Sequence, residues 1–210
     1  MSRINRQRGL GTLAAAAPLR RVAIVQARMG STRFPGKMLA PLGGRPLLEW
    51  VLRRVQSARL VDAVVLATTD LQRDKPLVDL ARNLGVATFT GSESDVLGRF
   101  AAASAQHRAD VVVRVCADNP FVDGAEIDRL LAFFAVQDVD YAWDHASAYR
   151  LAAVPAPAAL AFPDLRFDVD RPEHLSELAL LCERAGLGLS STAAEVVAAA
   201  RASASAELTV

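Results

Sequence analysis

Between residues 26 and 37 the chain carries three cations, Arg28, Arg33 and Lys37, interleaved with Gly30, Ser31, Thr32 and Gly36. Glycine lets backbone N–H groups approach an anion closely, and three positive charges in so short a stretch suit the oxygens of a triphosphate. Two acidic positions much further along supply the complementary chemistry. Asp118 ends Val113-Arg114-Val115-Cys116-Ala117-Asp118, and Asp170 stands in Phe167-Asp168-Val169-Asp170-Arg171-Pro172. A carboxylate at the end of each of two strands can jointly hold Mg2+ against phosphate oxygens, because this ion takes few protein ligands. Read singly, Asp118 also suits a helix N-cap or a turn, and Asp170 suits a cap for the helix that Pro172 begins.

Two phosphate motifs fail on context. Gly9-Leu10-Gly11-Thr12-Leu13-Ala14 has dinucleotide-binding spacing but precedes the first strand, with no acidic residue about twenty positions on. The run from Gly30 to Met38 has one residue too many for a P-loop, and Met38 stands where the magnesium-binding hydroxyl belongs. His107, His145 and His174 share no metal-ligand spacing, and Cys116 and Cys182 match no zinc pattern. Asp138-Val139-Asp140 imitates the acidic pair of sugar-nucleotide glycosyltransferases but lies before a strand, where that pair lies after one.

The elements that must position these groups follow from apolar rhythm. Val22-Ala23-Ile24-Val25 reads as a strand buried on both faces, and further strands are expected at residues 63–67, 86–89, 111–115 and 141–143, with 167–170 ending a last one. Helices are expected at residues 46–55, 74–84, 95–107, 127–134 and 172–185, several bounded by Pro or Gly, with one more near the C-terminus. The alternation is that of an α/β domain with a mostly parallel sheet. Strands 22–26 and 111–116 should be adjacent and parallel, so that Arg28 and Asp118 meet at one sheet edge.

Composition bounds the function. Lys+Arg 24 against Asp+Glu 23 gives a net charge of +1, which removes the electrostatic footprint of a nucleic-acid binder. No apolar run reaches the ~18 residues of a membrane span. Two widely separated cysteines point to a reduced, cytoplasmic protein. Residues 1–20 read as a disordered tail, 21–186 as one domain, and 187–210 as a C-terminal helix and tail.

The run Gln26-Ala27-Arg28-Met29-Gly30-Ser31-Thr32-Arg33-Phe34-Pro35-Gly36-Lys37 resembles the opening motif of the cytidylyltransferases that activate acidic sugars. The likeness is greatest to the type named for spore coat polysaccharide biosynthesis protein F. Ala67-Thr68-Thr69-Asp70, the run Gly91 to Arg99, Asp118-Asn119-Pro120 and Val169-Asp170-Arg171-Pro172-Glu173 are similar to later motifs of that family, in the same order. The resemblance implies a three-layer nucleotide-diphospho-sugar transferase fold, Rossmann-like and of the GT-A kind. It implies transfer of CMP from CTP to an acidic sugar or small anionic acceptor, with Mg2+ as cofactor and pyrophosphate released, and leaves room for a homodimer. Carried over, Arg28 and Lys37 stabilise the triphosphate, while Ala27, Met29, Gly30, Ser31, Thr32 and Arg33 wrap base and phosphates. Thr68, Ser92, Asp95 and Arg99 match positions near base and ribose, and Asp118 and Asp170 hold the metal. Residues 144–165 form a short alanine- and proline-rich stretch where the family has a longer acceptor segment. Two alternatives follow: a nucleotide-binding module that has lost its acceptor segment, and a GT-A-type glycosyltransferase.

Overall fold

The computed structural model describes residues 18–137, 139, 157–161 and 165–207, and every structural statement below concerns these. The strand expected at 141–143, the acidic pair at 138 and 140, and His145 lie outside them.

A four-stranded parallel sheet forms the frame. β1 (Arg21–Gln26) is flanked by β4 (Ala63–Thr69) and β6 (Val111–Cys116), and β5 (Ala87–Gly91) adds beyond β4, in the order β5-β4-β1-β6. The β1–β6 pairing sets Arg21 opposite Val111 and Gln26 opposite Cys116, which is the adjacency expected from the sequence. Val22, Ala23, Ile24 and Val25 have no exposed surface, which explains why the central strand is a continuous apolar run. The edge strand β6 is different: Val113 and Val115 are buried, but Val112, Arg114 and Cys116 on the other face are exposed. In the connection after β1, β2 (Pro41–Leu42) and β3 (Arg45–Pro46) form a minute antiparallel ladder. Pro46 therefore sits just before the helix and not in its first turn.

Six helices cover the sheet: α1 (Leu47–Gln56), α2 (Lys75–Asn83), α3 (Val96–Gln106), α4 (Gly124–Val136), α5 (Pro172–Ala185) and α6 (Ala193–Glu207). On α1, Leu47, Leu48, Val51, Leu52 and Val55 recur at helical spacing and are fully buried. Each contributes at most about 1.5–3 kcal/mol by leaving water. This face joins Leu77 and Ala81 of α2, Ile127 and Leu131 of α4, Leu178 of α5 and Val196 of α6 in the larger core. The opposite face has a smaller core, Val22, Ile24, Val65 and Ala67 against Ala103 of α3, with Phe89 and Phe100 at its edge. Helices on both faces make three layers. The chain steps outward from β1 to β5 and then recrosses to β6, so the order reverses between β1 and β6, where open α/β sheets form ligand crevices.

The stretch at 167–170 joins no sheet, contrary to the expected strand. It makes one bond that matters, Val169 N donating to the Asp118 carbonyl at 2.8 Å. The C-terminal region is tied in by polar groups. The buried Arg54 guanidinium donates to the carbonyls of Val122 (2.8 Å), Leu189 (2.9 Å) and Ser191 (2.7 Å), and burial holds its pKa below the usual guanidinium range. Asp123 serves two helix starts at once, accepting from Ala125 N at 2.8 Å and from Ala193 N at 2.5 Å.

Candidate nucleotide site

A cavity of about 300 Å³ opens at the carboxyl ends of β1 and β6, at the reversal of strand order. The loop after β1 forms one wall with Ala27, Arg28, Ser31, Thr32, Arg33 and Lys37, and Asp118 and Asp170 stand on the other. The loop turns tightly at Gly36, whose φ of 75° only glycine adopts without strain, and a short 3-10 turn at Lys37–Leu39 follows. That turn delivers Lys37 inward. Its ammonium donates to the Val169 carbonyl at 2.7 Å and lies 4.0 Å from Asp118 Oδ2 and 3.8 Å from Asp170 Oδ1. Lys37 is buried, so these contacts are screened less than surface pairs.

Arg33 completes the cluster with Nη2 2.8 Å from Asp170 Oδ1. Asp170 is thus no helix cap: Arg171 holds the cap position of α5, and no side chain caps it. Asp118 likewise faces the lysine. Beside the pair, the Asp168 carboxyl is pushed above its ordinary value, first by burial and then by the negative charges of Asp118 and Asp170. Two carboxylates at the mouth of one cavity, Asp118 and Asp170, fit the sparse protein ligation of Mg2+. Among the described residues no group of three or more His, Cys, Asp or Glu could enclose a metal by itself. The donor set suits an ion shared with a ligand.

The remaining residues named from sequence divide. Met29 and Gly30 belong to the same loop but do not line the cavity. Gly30 packs under the ends of two long side chains, since a Cβ there would meet Arg73 Nη2 at 2.9 Å and Glu93 Oε1 at 3.0 Å, tips that a larger residue could push aside. Thr68, Ser92, Asp95 and Arg99 lie outside the lining, towards β4, β5 and α3. Thr68 is fully buried and its Oγ1 has no partner. Asp95 caps α3, accepting from Gly98 N at 2.7 Å. Arg99 is buried with Nη1 bonded to the Ser92 carbonyl and Nε without a partner; burial first, then the positive charge of Arg28, lowers its pKa.

Several contributors escaped the sequence reading. Asp74, fully buried, accepts from Met29 N at 2.7 Å and from the Thr69 hydroxyl. Glu93 Oε1 accepts from Arg28 Nη1 at 3.4 Å and also from Arg73. Arg114, Gln26 and Cys116 line the cavity from the open face of β6 and β1. The only available signal was alternation: in Val111-Val112-Val113-Arg114-Val115-Cys116 the polar residues share one face of the strand.

Residues 22–157 match the family model described as cytidylyltransferase. The spore coat polysaccharide biosynthesis protein SpsF of Bacillus subtilis is 28% identical over 218 residues, covering 83% of this chain and 91% of that protein. The 3-deoxy-manno-octulosonate cytidylyltransferase of Trichlorobacter lovleyi is 36% identical over 116 residues, covering 54% of this chain and 44% of that one. The chain spans about half the length of most of the curated relatives it matches. Among solved structures, a cytidylyltransferase from Leptospira borgpetersenii superimposes with a TM-score of 0.56 at 31% identity, over 58% of this chain and 51% of that one.

Proposed function

Because the chain belongs to the cytidylyltransferase family, we propose that it transfers CMP from CTP to an acidic sugar or another small anionic acceptor, in the cytoplasm. The observation that carries this reading is the cavity at the strand-order reversal, with Arg28, Arg33 and Lys37 on one wall and Asp118 and Asp170 on the other. An acceptor oxygen attacks the α-phosphorus, the bond to the β-phosphate oxygen breaks, and pyrophosphate leaves with the electron pair.

This chemistry needs no protein nucleophile; it needs charge held in the right places. Arg28 and Arg33 neutralise the outer phosphates, and Lys37, fixed by the Val169 carbonyl, neutralises the charge that grows on the bridging oxygen. Asp118 and Asp170 would hold Mg2+, which supplies further neutralisation of the phosphates when bound. Thr68, Ser92 and Arg99, on the β4 and α3 side, would receive base and ribose.

Calorimetric titration of CTP with and without Mg2+, followed by pyrophosphate release on a panel of sugar acids, tests the reading. Metal-dependent CTP binding with release supports it. Absence of CTP binding refutes it, tight binding of a UDP-sugar instead identifies a glycosyltransferase, and CTP binding with no release from sugar acids or other small anionic acceptors favours a nucleotide-binding module.

A further inference from the structure

Asp118 follows the end of β6 and Asp170 precedes α5, and no sheet ladder joins the two segments that carry them. Among the described residues one backbone bond links these segments, Val169 N donating to the Asp118 carbonyl at 2.8 Å. A single bond leaves the two free to pivot about it. Asp170 also touches Arg33 and Lys37, but those are cations that a triphosphate would draw to itself. The spacing of the carboxylates in a loaded site therefore needs a second fixed point.

That point is aromatic. Phe121 stands three residues after Asp118 and Phe167 three residues before Asp170. Their rings meet edge to face, with centroids 5.6 Å apart and planes at 86°. Phe121 is buried, and its N–H donates to Asn119 Oδ1 at 2.8 Å, closing the turn after Asp118. Its ring also meets Trp50 of α1 edge to face, at 6.0 Å, and Trp50 Nε1 donates to the Leu42 carbonyl at 2.7 Å. Phe167 thus rests on a ring that α1 supports from behind, in a geometry that aromatic pairs prefer. With the Val169–Asp118 bond, this contact removes the pivot.

A fixed pair of carboxylates discriminates between cations. Mg2+ demands a near-octahedral shell at about 2.0–2.1 Å, whereas Ca2+ accepts irregular shells at about 2.3–2.6 Å. A pair free to pivot loses the stricter ion first. We infer that Phe167 is a positioning residue: seated on Phe121, it fixes Asp170 relative to Asp118 and makes the pair prefer Mg2+ to Ca2+. This rests on the metal site of the reading given above and adds the residue that sets its selectivity.

The probe is inorganic tripolyphosphate, which carries the charge of the nucleotide without its base, with CTP titrated in parallel. Calorimetry on the full chain in saturating Mg2+ and in saturating Ca2+ gives a ratio of two affinities. That ratio should fall about fivefold to tenfold in Phe167→Leu, which keeps apolar bulk but loses the ring edge, and return to the wild-type value in Phe167→Tyr. Val65→Ala, in the smaller core on the opposite face of the sheet, should lower stability without moving the ratio. Where Phe167→Leu does not fold, Phe121→Leu breaks the same pair from the other side and takes its place. An unchanged ratio in the folded variant, or an equal fall in Val65→Ala, overturns the inference, as does wild-type tripolyphosphate binding that ignores the metal. A wild type that binds tripolyphosphate with metal but not CTP removes the proposed function and leaves the ratio to decide the role of Phe167. Metal-dependent CTP binding with an unchanged ratio does the reverse.

Discussion

The carboxylate of Asp74 holds the backbone N–H of Met29 at 2.7 Å, joining the segment after β4 to the middle of the cation-bearing loop after β1. Asp74 is fully buried, and its second oxygen takes the Thr69 hydroxyl. The loop's shape is therefore set by a side chain outside the loop. Asp74→Ala would leave a buried N–H and a hydroxyl unpaired, at a cost of about 1–3 kcal/mol each. Urea unfolding should show that loss, and CTP affinity should fall in the fraction that remains folded. Asp74→Asn, which keeps one acceptor oxygen, should recover part of both. Unchanged CTP affinity in a destabilised Asp74→Ala would show that the loop keeps its shape without this anchor.

Asp118→Asn and Lys37→Ala should separate metal from phosphate. The asparagine keeps size but loses charge, and Lys37 retains Asp170 as a partner at 3.8 Å. Stability should change by no more than ~0.5–1 kcal/mol, while the Mg2+ dependence of CTP binding should largely vanish. Lys37→Ala should weaken CTP even without metal and also destabilise the chain, because the Val169 carbonyl loses its donor. Calorimetry with and without Mg2+ reads both, and identical metal dependence in Asp118→Asn and wild type would remove Asp118 from the ion site.

Glu93 competes with a triphosphate for Arg28. Glu93→Gln should release that cation and tighten metal-free CTP binding by about twofold to fivefold at low salt, the scale of an exposed ion pair, with the gain shrinking as salt rises. Weaker binding would mean that Glu93 holds Arg28 in its working position and does not compete for it.

The Glu49 carboxylate lies between Arg53 (2.8 Å) and Arg45 (2.6 Å), and the hydrogen bond from Arg53 is the first cause of its lowered pKa. A group depressed in the folded state contributes stability above its unfolded pKa, about 4.3 for glutamate, and loses it as pH falls through the folded value. Glu49→Gln should therefore lower the melting temperature at pH 7 and narrow the difference from wild type as the pH drops below 4. A constant difference across that range would assign the effect to packing.

How much of this was readable beforehand depends on whether a signal is local. Val22-Ala23-Ile24-Val25 declares a strand buried on both faces, and the five buried positions of α1 declare a helix, because burial imposes a period on adjacent residues. Arg28, Lys37, Asp118 and Asp170 were likewise visible as charge at strand ends, and they line one cavity. The segment at 167–170 misled because its alternation suits an extended chain, while its single bond to Asp118 leaves it outside the sheet. Asp74 and Glu93 were invisible for another reason. Their roles depend on partners at Met29 and Arg28, which no period in the sequence links to them.

The two ties that hold the C-terminal region have a consequence for synthesis on the ribosome. Arg54 lies in α1, yet two of its carbonyl partners, Leu189 and Ser191, lie 135 and 137 residues further along the chain. Asp123 waits similarly for Ala193. Until those residues emerge from the exit tunnel, the nascent chain must keep a guanidinium hydrated that the finished protein buries. The helical side of the sheet therefore closes only after all four of its strands have been translated, and the platform beneath the loop after β1 becomes rigid only once residues 189–193 have emerged.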